Sequence, residues 1–169
     1  AMLGNTLSEI AFEKAGIIKP GVPVVIGEIH PETRPVFEKK AAEYHCPITF
    51  AEERQLPQKE YLLNNLDLKG QYQSQNLQTV LTALEVLGME YNETRSAATA
   101  RHTGFRGRWE RLSSKPDIIC DIGHNAHGLK EVFGQLAAAR RDYRRVHIVF
   151  GVVSDKDVEA VDRFMLLPD

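Results

Sequence analysis

The sequence has few cysteines, little net charge, no long apolar run and no phosphate-binding loop, which argues against several classes of protein. Its 169 residues include two cysteines, Cys46 and Cys120, which lie far apart and are expected to be reduced thiols in a cytoplasmic protein rather than a disulfide framework. The net charge of −2 does not point to nucleic acid or to an anionic membrane surface. No apolar run approaches the length of a membrane span, and no Gly-x-x-x-x-Gly-Lys-Ser/Thr phosphate-binding loop occurs. With 43% hydrophobic and 26% charged residues, the chain is of ordinary globular composition.

Strand and helix patterns alternate along the chain. The predicted strands cover 22–27, 48–50, a short stretch near 61–63, 109–112, 117–122 and 146–150, and the predicted helices cover 7–15, 31–44, 74–87, 93–101, 126–141 and 158–167. Such alternation is typical of an α/β fold, in which crossover helices connect the strands of a parallel sheet. The stretch 102–108 is rich in glycine and arginine, and we interpret it as a linker between two sections.

One lysine lies on the apolar face of the first predicted helix. Thr6 and Glu9 form a capping box that begins this helix, and Gly16 is predicted to end it in the left-handed conformation. Lys14 then falls on the stripe expected to be buried, where an ammonium group is costly unless something uses it. Two interpretations stay open: a cation in the last helical turn that offsets the helix dipole, or an active-site lysine near an anionic or metal-bearing site.

A polar turn follows the predicted strand 117–122, at the end of the strand where open α/β sheets bind their ligands. In the run Asp121-Ile-Gly-His-Asn125, Asp121 is suited to accept hydrogen bonds from ribose hydroxyls, and His124 to donate one to a phosphate. Asn125 is a candidate N-cap of the next helix. The alternative is a strand-to-helix turn that binds no ligand.

Two arginines, Arg106 and Arg108, flank Gly107 in the linker. A glycine lets the backbone approach a ligand closely, and arginine suits phosphate binding, although a solvated linker explains the same pattern. His124 and His127 have H-x-x-H spacing, but no cysteine or carboxylate completes a zinc set.

Five motifs, in order along nearly the whole chain, resemble one family: the folylpolyglutamate synthases, often bifunctional with dihydrofolate synthase, within the Mur ligase superfamily. The motifs are the run 3–21, Gly70-x-Tyr-Gln-x-x-Asn76, Gly107-Arg-Trp109, Asp121-x-x-His-Asn125 with Gly123 in place of the usual alanine, and Phe150-Gly-x-x-x-Asp-Lys-Asp157.

The resemblance implies an α/β fold made of the latter half of a Mur-ligase-like central domain, followed by the start of a Rossmann-like C-terminal domain. Residues 1–101 would be the partial central, ATP-binding domain, 102–108 the linker, and 109–169 the partial C-terminal domain. The implied enzyme is an ATP-dependent ligase that adds glutamate to a folate through an acyl phosphate, with Mg²⁺ neutralising the phosphates. Bifunctional members also synthesise dihydrofolate.

Carried over residue by residue, the resemblance implies two catalytic residues, Lys14 and His124. Lys14 matches a lysine that the family carbamylates, and only in that form does it help, indirectly, to organise the metal site. His124 matches a residue near the phosphates. The implied contacts to ATP are Asn76, Arg108 and Asp121, and those to the incoming glutamate are Ser154 and Asp155.

The family's phosphate-binding loop would lie upstream of Leu3, as would an Asp-His pair that helps bind magnesium. We therefore expect a fragment that is inactive alone and has weak nucleotide affinity. The expected partners are folate and glutamate, with no nucleic acid and no membrane. The family is mostly monomeric, but apolar edges are expected to favour self-association of the fragment. Two alternatives stay open: another Mur-type amino-acid ligase, and a non-catalytic α/β nucleotide-binding or interaction module.

Overall fold

The computed structural model describes residues 4, 6–91, 98–124 and 126–151, with the backbone alone at residues 126 and 127. The chain divides into two compact units, Ala1–Asn64 with Ser74–Glu93, and Asn65–Gln73 with Thr94–Asp169. Each unit contains both helices and strands, so the predicted α/β class is confirmed. The predicted domain boundaries at 101 and 109 stay a prediction.

Helix α1, Leu7–Ala15, begins at the predicted capping box. The Thr6 hydroxyl accepts a hydrogen bond from the Glu9 N–H at 3.2 Å, and the Glu9 carboxylate accepts one from the Thr6 N–H at 3.2 Å. The end of the helix differs from the prediction. Gly16 has a φ of −59°, in the right-handed region, so the predicted left-handed glycine cap is wrong. The Gly16 N–H still bonds to carbonyls of the last turn, and this turn therefore needs no positive φ.

The first unit contains a two-stranded parallel sheet among its described residues. Strand β1, Val24–Ile26, pairs with strand β2, Ile48–Phe50, and Val24 lies opposite Ile48. Helix α2, Arg34–Glu43, connects the two strands, which is the β-α-β order that parallel pairing requires. The buried side chains packed in this cluster are Ala15, Ile18, Ala41 and Cys46.

Two further helices follow a 3₁₀ turn at Ala51–Glu53. Helix α3, Lys59–Asn65, occupies the stretch where a short strand was predicted at 61–63, so that prediction is wrong. The Leu62 N–H donates to the carbonyl of Gln58, four residues earlier, as in a helix. Helix α4, Gln73–Val86, matches the predicted helix 74–87 to within one residue at each end.

Helix α4 is joined to the ends of both strands. The buried Gln78 amide donates to the carbonyls of Ala51 and Arg54, at 2.8 and 2.9 Å, just beyond β2. Gly27 follows β1, and a Cβ on it would lie 2.7 Å from the Thr79 hydroxyl oxygen. The end of β1 and the helix therefore approach so closely that a side chain at residue 27 would clash with the Thr79 side chain.

The second unit contains helix α5 (Thr99–Thr103), strand β3 (Glu110–Ser114), strand β4 (Asp117–Cys120) and helix α6 (Ala126–Ala139). Strands β3 and β4 pair antiparallel, with an irregularity between Arg111 and Ser113. The parallel arrangement predicted for this section is therefore not present in its described part. The apolar side of α6 is buried through Leu129 and Phe133.

The predicted strand at 146–150 is wrong, because these residues form no strand and Val149 is fully exposed. The predicted helix at 158–167 lies outside the described residues, as does most of the one at 93–101. The described part of the latter is α5. Asp67 caps this helix from a distant place in the sequence, since its two carboxylate oxygens accept the N–H groups of Ala100 and Arg101 at 3.0 Å each. No helix in the described ranges combines the length and apolar character needed to span a membrane.

Candidate functional site

Asp121 follows strand β4 directly and is the centre of a hydrogen-bond cluster in the second unit. Its Oδ2 accepts a hydrogen bond from the Tyr72 hydroxyl at 3.2 Å and another from the Trp109 N–H at 2.8 Å. Its Oδ1 accepts one from the Gly123 N–H at 2.7 Å. Because a carboxylate offers roughly four acceptor positions, these three bonds leave about one position, on Oδ1, for a ligand hydroxyl.

Arg108 lies in the middle of a turn that is anchored on both sides. Before it, the Gly107 N–H donates to Glu110 Oε2 at 2.8 Å, and the Gly107 carbonyl accepts from the Ile122 N–H at 3.0 Å. After it, the Trp109 N–H is bound by the Asp121 carboxylate. The backbone on each side of Arg108 is therefore tied to the ends of β3 and β4.

This turn uses unusual backbone conformations. Gly107 has a φ of +75°, and a Cβ on it would lie 2.6 Å from Ile122 Cγ2. Trp109 has a φ of +49°, a conformation that costs a non-glycine residue about 1 kcal/mol or more. The hydrogen bond from the Trp109 N–H to a carboxylate offsets that strain.

Charged neighbours set the protonation of the groups around the turn. The hydrogen bond from Arg106, followed by that from the Gly107 N–H, lowers the pKa of Glu110. Burial, followed by the negative charge of Asp121, raises the pKa of Tyr72, and the positive charge of Arg108 opposes this rise. Glu110 is therefore held as an anionic acceptor and Tyr72 as a protonated donor.

The structure places the other polar side chains of the turn as follows. Arg108 is half-buried, with its guanidinium carbon 5.5 Å from the centroid of the Phe105 ring. His124 is exposed, and its Nδ1 lies 3.1 Å from the Ile122 carbonyl oxygen. Nε2 points away from that carbonyl, and with a proton on each ring nitrogen His124 donates to the carbonyl through Nδ1 and to a ligand through Nε2. The predicted residues Arg108 and Asp121 are thus linked by the N–H of Trp109, the residue after Arg108, which donates to the Asp121 carboxylate. His124 lies three residues after Asp121 in the sequence.

Lys14 is exposed, so the prediction that it lies on a buried stripe is wrong. The buried positions of α1 are Ala11 and Ala15, which are the centre of the face turned to the core. Leu7 lies on the same side of the helix as Lys14, seven residues apart, and it is also exposed, at 43%. Lys14 is the basic residue of the last turn, where its charge offsets the helix dipole. Its predicted catalytic role stays a prediction.

The remaining predicted site residues lie in the first unit or outside the described residues. Asn76 is exposed on α4 and belongs to the first unit. Ser154 and Asp155 lie outside the described residues, as does Asn125, the predicted N-cap of α6.

The described residues do not fit a magnesium ion. In those ranges no group of three or more His, Cys, Asp or Glu side chains could hold a metal. Lys14 is an exposed ammonium, which has no lone pair to offer a cation. Magnesium therefore stays an implication of the resemblance.

Two contributors to the cluster were not singled out from the sequence. Tyr72 lies in the Gly70–Asn76 motif, but its bond to Asp121 joins residues 49 positions apart. Glu110 is two residues beyond Arg108, and its pairing with Arg106 at 2.8 Å is an i,i+4 contact that the spacing alone suggests. Long-range contacts such as the first have no signal in a single sequence.

Comparison with known proteins gives consistent matches. Residues 107–165 match the family described as Mur ligase, glutamate ligase domain. The dihydrofolate synthase/folylpolyglutamate synthase of Haemophilus influenzae is 30% identical over 94% of this chain and 42% of its own length. The ligand-free bifunctional enzyme of Yersinia pestis has a similar structure, with a TM-score of 0.73 and 24% identity over 96% of this chain and 41% of that one. An FPGS–AMPPCP–folate complex has a TM-score of 0.72 and 22% identity over 98% of this chain and 45% of that one.

The turn at the carboxyl end of β4 lies in the stretch 107–165, which matches the glutamate ligase domain of the Mur ligases, and the solved structures show that the fold is shared. The curated relatives that match over most of this chain are named dihydrofolate synthase/folylpolyglutamate synthase, and the chain is similar to that family. It spans about two fifths of the length of the curated relatives it matches, 42% and 41% for the first two.

Proposed function

We propose that this chain supplies a nucleotide-binding turn to an ATP-dependent ligase that joins glutamate to a folate. The observation that carries the proposal is the Arg108 turn, which is tied to Asp121 at the carboxyl end of β4. Both residues stand in motifs that resemble those of the family, and a similar structure is a complex with AMPPCP, an ATP analogue, and folate. Arginine on a rigid turn is suited to pair with phosphate oxygens.

In the proposed reaction, a folate carboxylate oxygen attacks the γ-phosphorus of ATP. A new P–O bond forms, the bond to the β-phosphate oxygen breaks, and ADP leaves. The glutamate amine then attacks the acyl carbon, the C–N bond forms, inorganic phosphate leaves, and the amine proton passes to solvent. The chain's own residues contribute positioning and charge: Arg108 pairs with the phosphates, His124 donates to one, and Asp121 Oδ1 accepts from a ribose hydroxyl.

Other parts of the assignment stay predictions of the resemblance. These are the roles of Lys14, Asn76, Ser154 and Asp155, the magnesium ion, the cytoplasmic location, dihydrofolate synthesis and the inactivity of this chain alone. None of them is needed for the Arg108 turn to bind a nucleotide.

The proposal is tested by the affinity of the chain for AMPPCP, measured by ligand-observed NMR so that weak binding is detected. We expect Arg108→Ala to weaken binding about tenfold or more, because a charge-assisted hydrogen bond contributes roughly 1.5–3 kcal/mol. Arg144→Ala, which removes an exposed arginine of the same unit, is the matched control and should leave the affinity unchanged. Equal losses in the two variants, or no binding by the unmodified chain, would count against the proposal.

A further inference from the structure

Tyr72 is a half-buried residue of the second unit whose role the motif Gly70-x-Tyr-Gln-x-x-Asn76 does not assign. Its hydroxyl donates to Asp121 Oδ2 at 3.2 Å, across 49 residues of sequence. Burial and the charge of Asp121 keep this hydroxyl protonated, so it remains a donor. It is therefore placed to act on Asp121 rather than on solvent.

The Asp121 carboxylate is oriented by donors from three separate segments. Tyr72 and the Trp109 N–H share Oδ2, and the Gly123 N–H takes Oδ1. Among these donors Tyr72 supplies the one side chain, and the other two are backbone groups close to the turn. Without the hydroxyl, the carboxylate keeps one bond on each oxygen and gains freedom to rotate away from the Trp109 N–H.

The turn around Arg108 depends on that orientation. Trp109 has a φ of +49°, and its N–H finds its partner in Asp121. A carboxylate that rotates away leaves this N–H without its partner and removes the interaction that offsets the backbone strain. The position of Arg108, one residue earlier, then loosens.

We infer that Tyr72 is a positioning residue for Arg108: by orienting the Asp121 carboxylate it fixes the turn that presents the guanidinium to an anionic ligand. For the identity of that ligand, the phosphates of a nucleotide, the inference rests on the proposed function. The fixing of the turn does not rest on it, and the two parts are tested separately.

The turn is tested by hydrogen exchange of the Trp109 backbone amide, followed by NMR in the unliganded chain. We expect Tyr72→Phe to accelerate this exchange about fivefold, the equivalent of losing one hydrogen bond. The Leu129 amide, in the core of the same unit, should exchange at an unchanged rate. Unchanged exchange of the Trp109 amide would overturn the inference, because it would show that Tyr72 does not hold the turn. Equal acceleration at Leu129 would also overturn it, because it would show only a general loss of stability.

Tyr143→Phe is the matched control. The Tyr143 hydroxyl donates to Asp117 Oδ2, so this variant also removes a tyrosine–aspartate hydrogen bond, but at the opposite end of β4. It should leave the exchange of the Trp109 amide as it is. An effect as large as that of Tyr72→Phe would show that any such bond in the unit matters equally, and would refute a specific role for Tyr72.

The link to the ligand is tested with AMPPCP and adenosine. Tyr72→Phe should weaken AMPPCP binding about threefold to tenfold and leave adenosine binding unchanged, because adenosine has no phosphates for Arg108 to contact. In an Arg108→Ala background the same change should have no further effect. Equal weakening for both ligands, or an undiminished effect without Arg108, would refute action through Arg108. If the unmodified chain binds no AMPPCP but Tyr72→Phe still loosens Trp109, the proposed function fails and the positioning of the turn stands.

Discussion

Gly107 shows how a single residue permits the Arg108 turn. Its φ of +75° disfavours any side chain, and a Cβ would lie 2.6 Å from Ile122 Cγ2. Gly104, in the same unit, has a φ of +68° with no atom within 4 Å of its Cβ position. Both glycines therefore have a positive φ that disfavours a side chain, but only at Gly107 would an added Cβ also clash with a neighbour.

We expect Gly104→Ala to lower the free energy of unfolding by about 1 kcal/mol, the usual cost of the left-handed conformation. Gly107→Ala should lower it by about 2–4 kcal/mol, because the clash is added to the backbone strain. Urea unfolding followed by the fluorescence of Trp109, the one tryptophan of the sequence, measures both variants. Equal losses would mean that Ile122 moves aside without cost.

At the scale of secondary-structure elements, Gln78 is the principal polar contact that holds α4 to the segment after β2. Its buried amide donates to two carbonyls, those of Ala51 and Arg54. We expect Gln78→Ala to lower the free energy of unfolding by about 2–4 kcal/mol, because it removes both bonds and leaves buried acceptors without donors. Gln75→Ala, on the exposed side of the same helix, should change it by less than about 0.5 kcal/mol. Urea unfolding followed by circular dichroism compares the two, and similar losses would contradict this assignment.

Elements with local signals could be predicted from the sequence. The capping box of Thr6 and Glu9 sets the start of α1, and the helical spacing of apolar residues over 74–87 marks α4, since both patterns act within a few helical turns. The stretches 61–63 and 146–150 were predicted as strands and are not. A short apolar run forms a strand only if another strand pairs with it, and that partner is not a property of the run itself.

In the candidate site, too, residues with local sequence signals could be predicted and long-range contacts could not. Arg108 and Asp121 could be singled out because a glycine-flanked arginine and a carboxylate after a strand are local patterns with known chemistry. Lys14 is wrongly predicted to be buried because the apolar pattern of Leu7, Ile10, Ala11 and Ala15 defines a broad face that includes position 14, whereas only Ala11 and Ala15 of α1 are buried. The contact of Tyr72 with Asp121 could not be predicted, since it depends on the tertiary path of the chain.

At the scale of the whole molecule, that path explains why Tyr72 reaches Asp121. Residues 65–73 belong to the second unit, although the segments on either side of them belong to the first. The sequence predicts residues 1–101 as one section, because strand and helix patterns alternate along all of it. The segment that carries Tyr72 thus lies in the same compact unit as β3, β4 and the turn between Gly107 and Trp109.

The stability of the whole chain should therefore depend on Tyr72 at alkaline pH. The pKa of Tyr72 is raised in the folded state, by burial and by the charge of Asp121, whereas in the unfolded chain it is near 10. Above about pH 10 the unfolded state holds fewer protons than the folded state, so the free energy of unfolding falls as the pH rises. The stabilisation from the neutral phenol is complete below that pH and is lost as the pH rises through the folded-state pKa.

Urea unfolding of the unmodified chain and of Tyr72→Phe between about pH 8 and pH 11.5 measures this effect. The substitution removes the Tyr72 hydroxyl and leaves every other titrating group in place. We expect the unmodified chain to be the more stable of the two up to about pH 10, and the difference to narrow above that value. A difference that stays constant over the whole range would mean that the Tyr72 hydroxyl titrates alike in both states, and that its contact with Asp121 does not persist in solution.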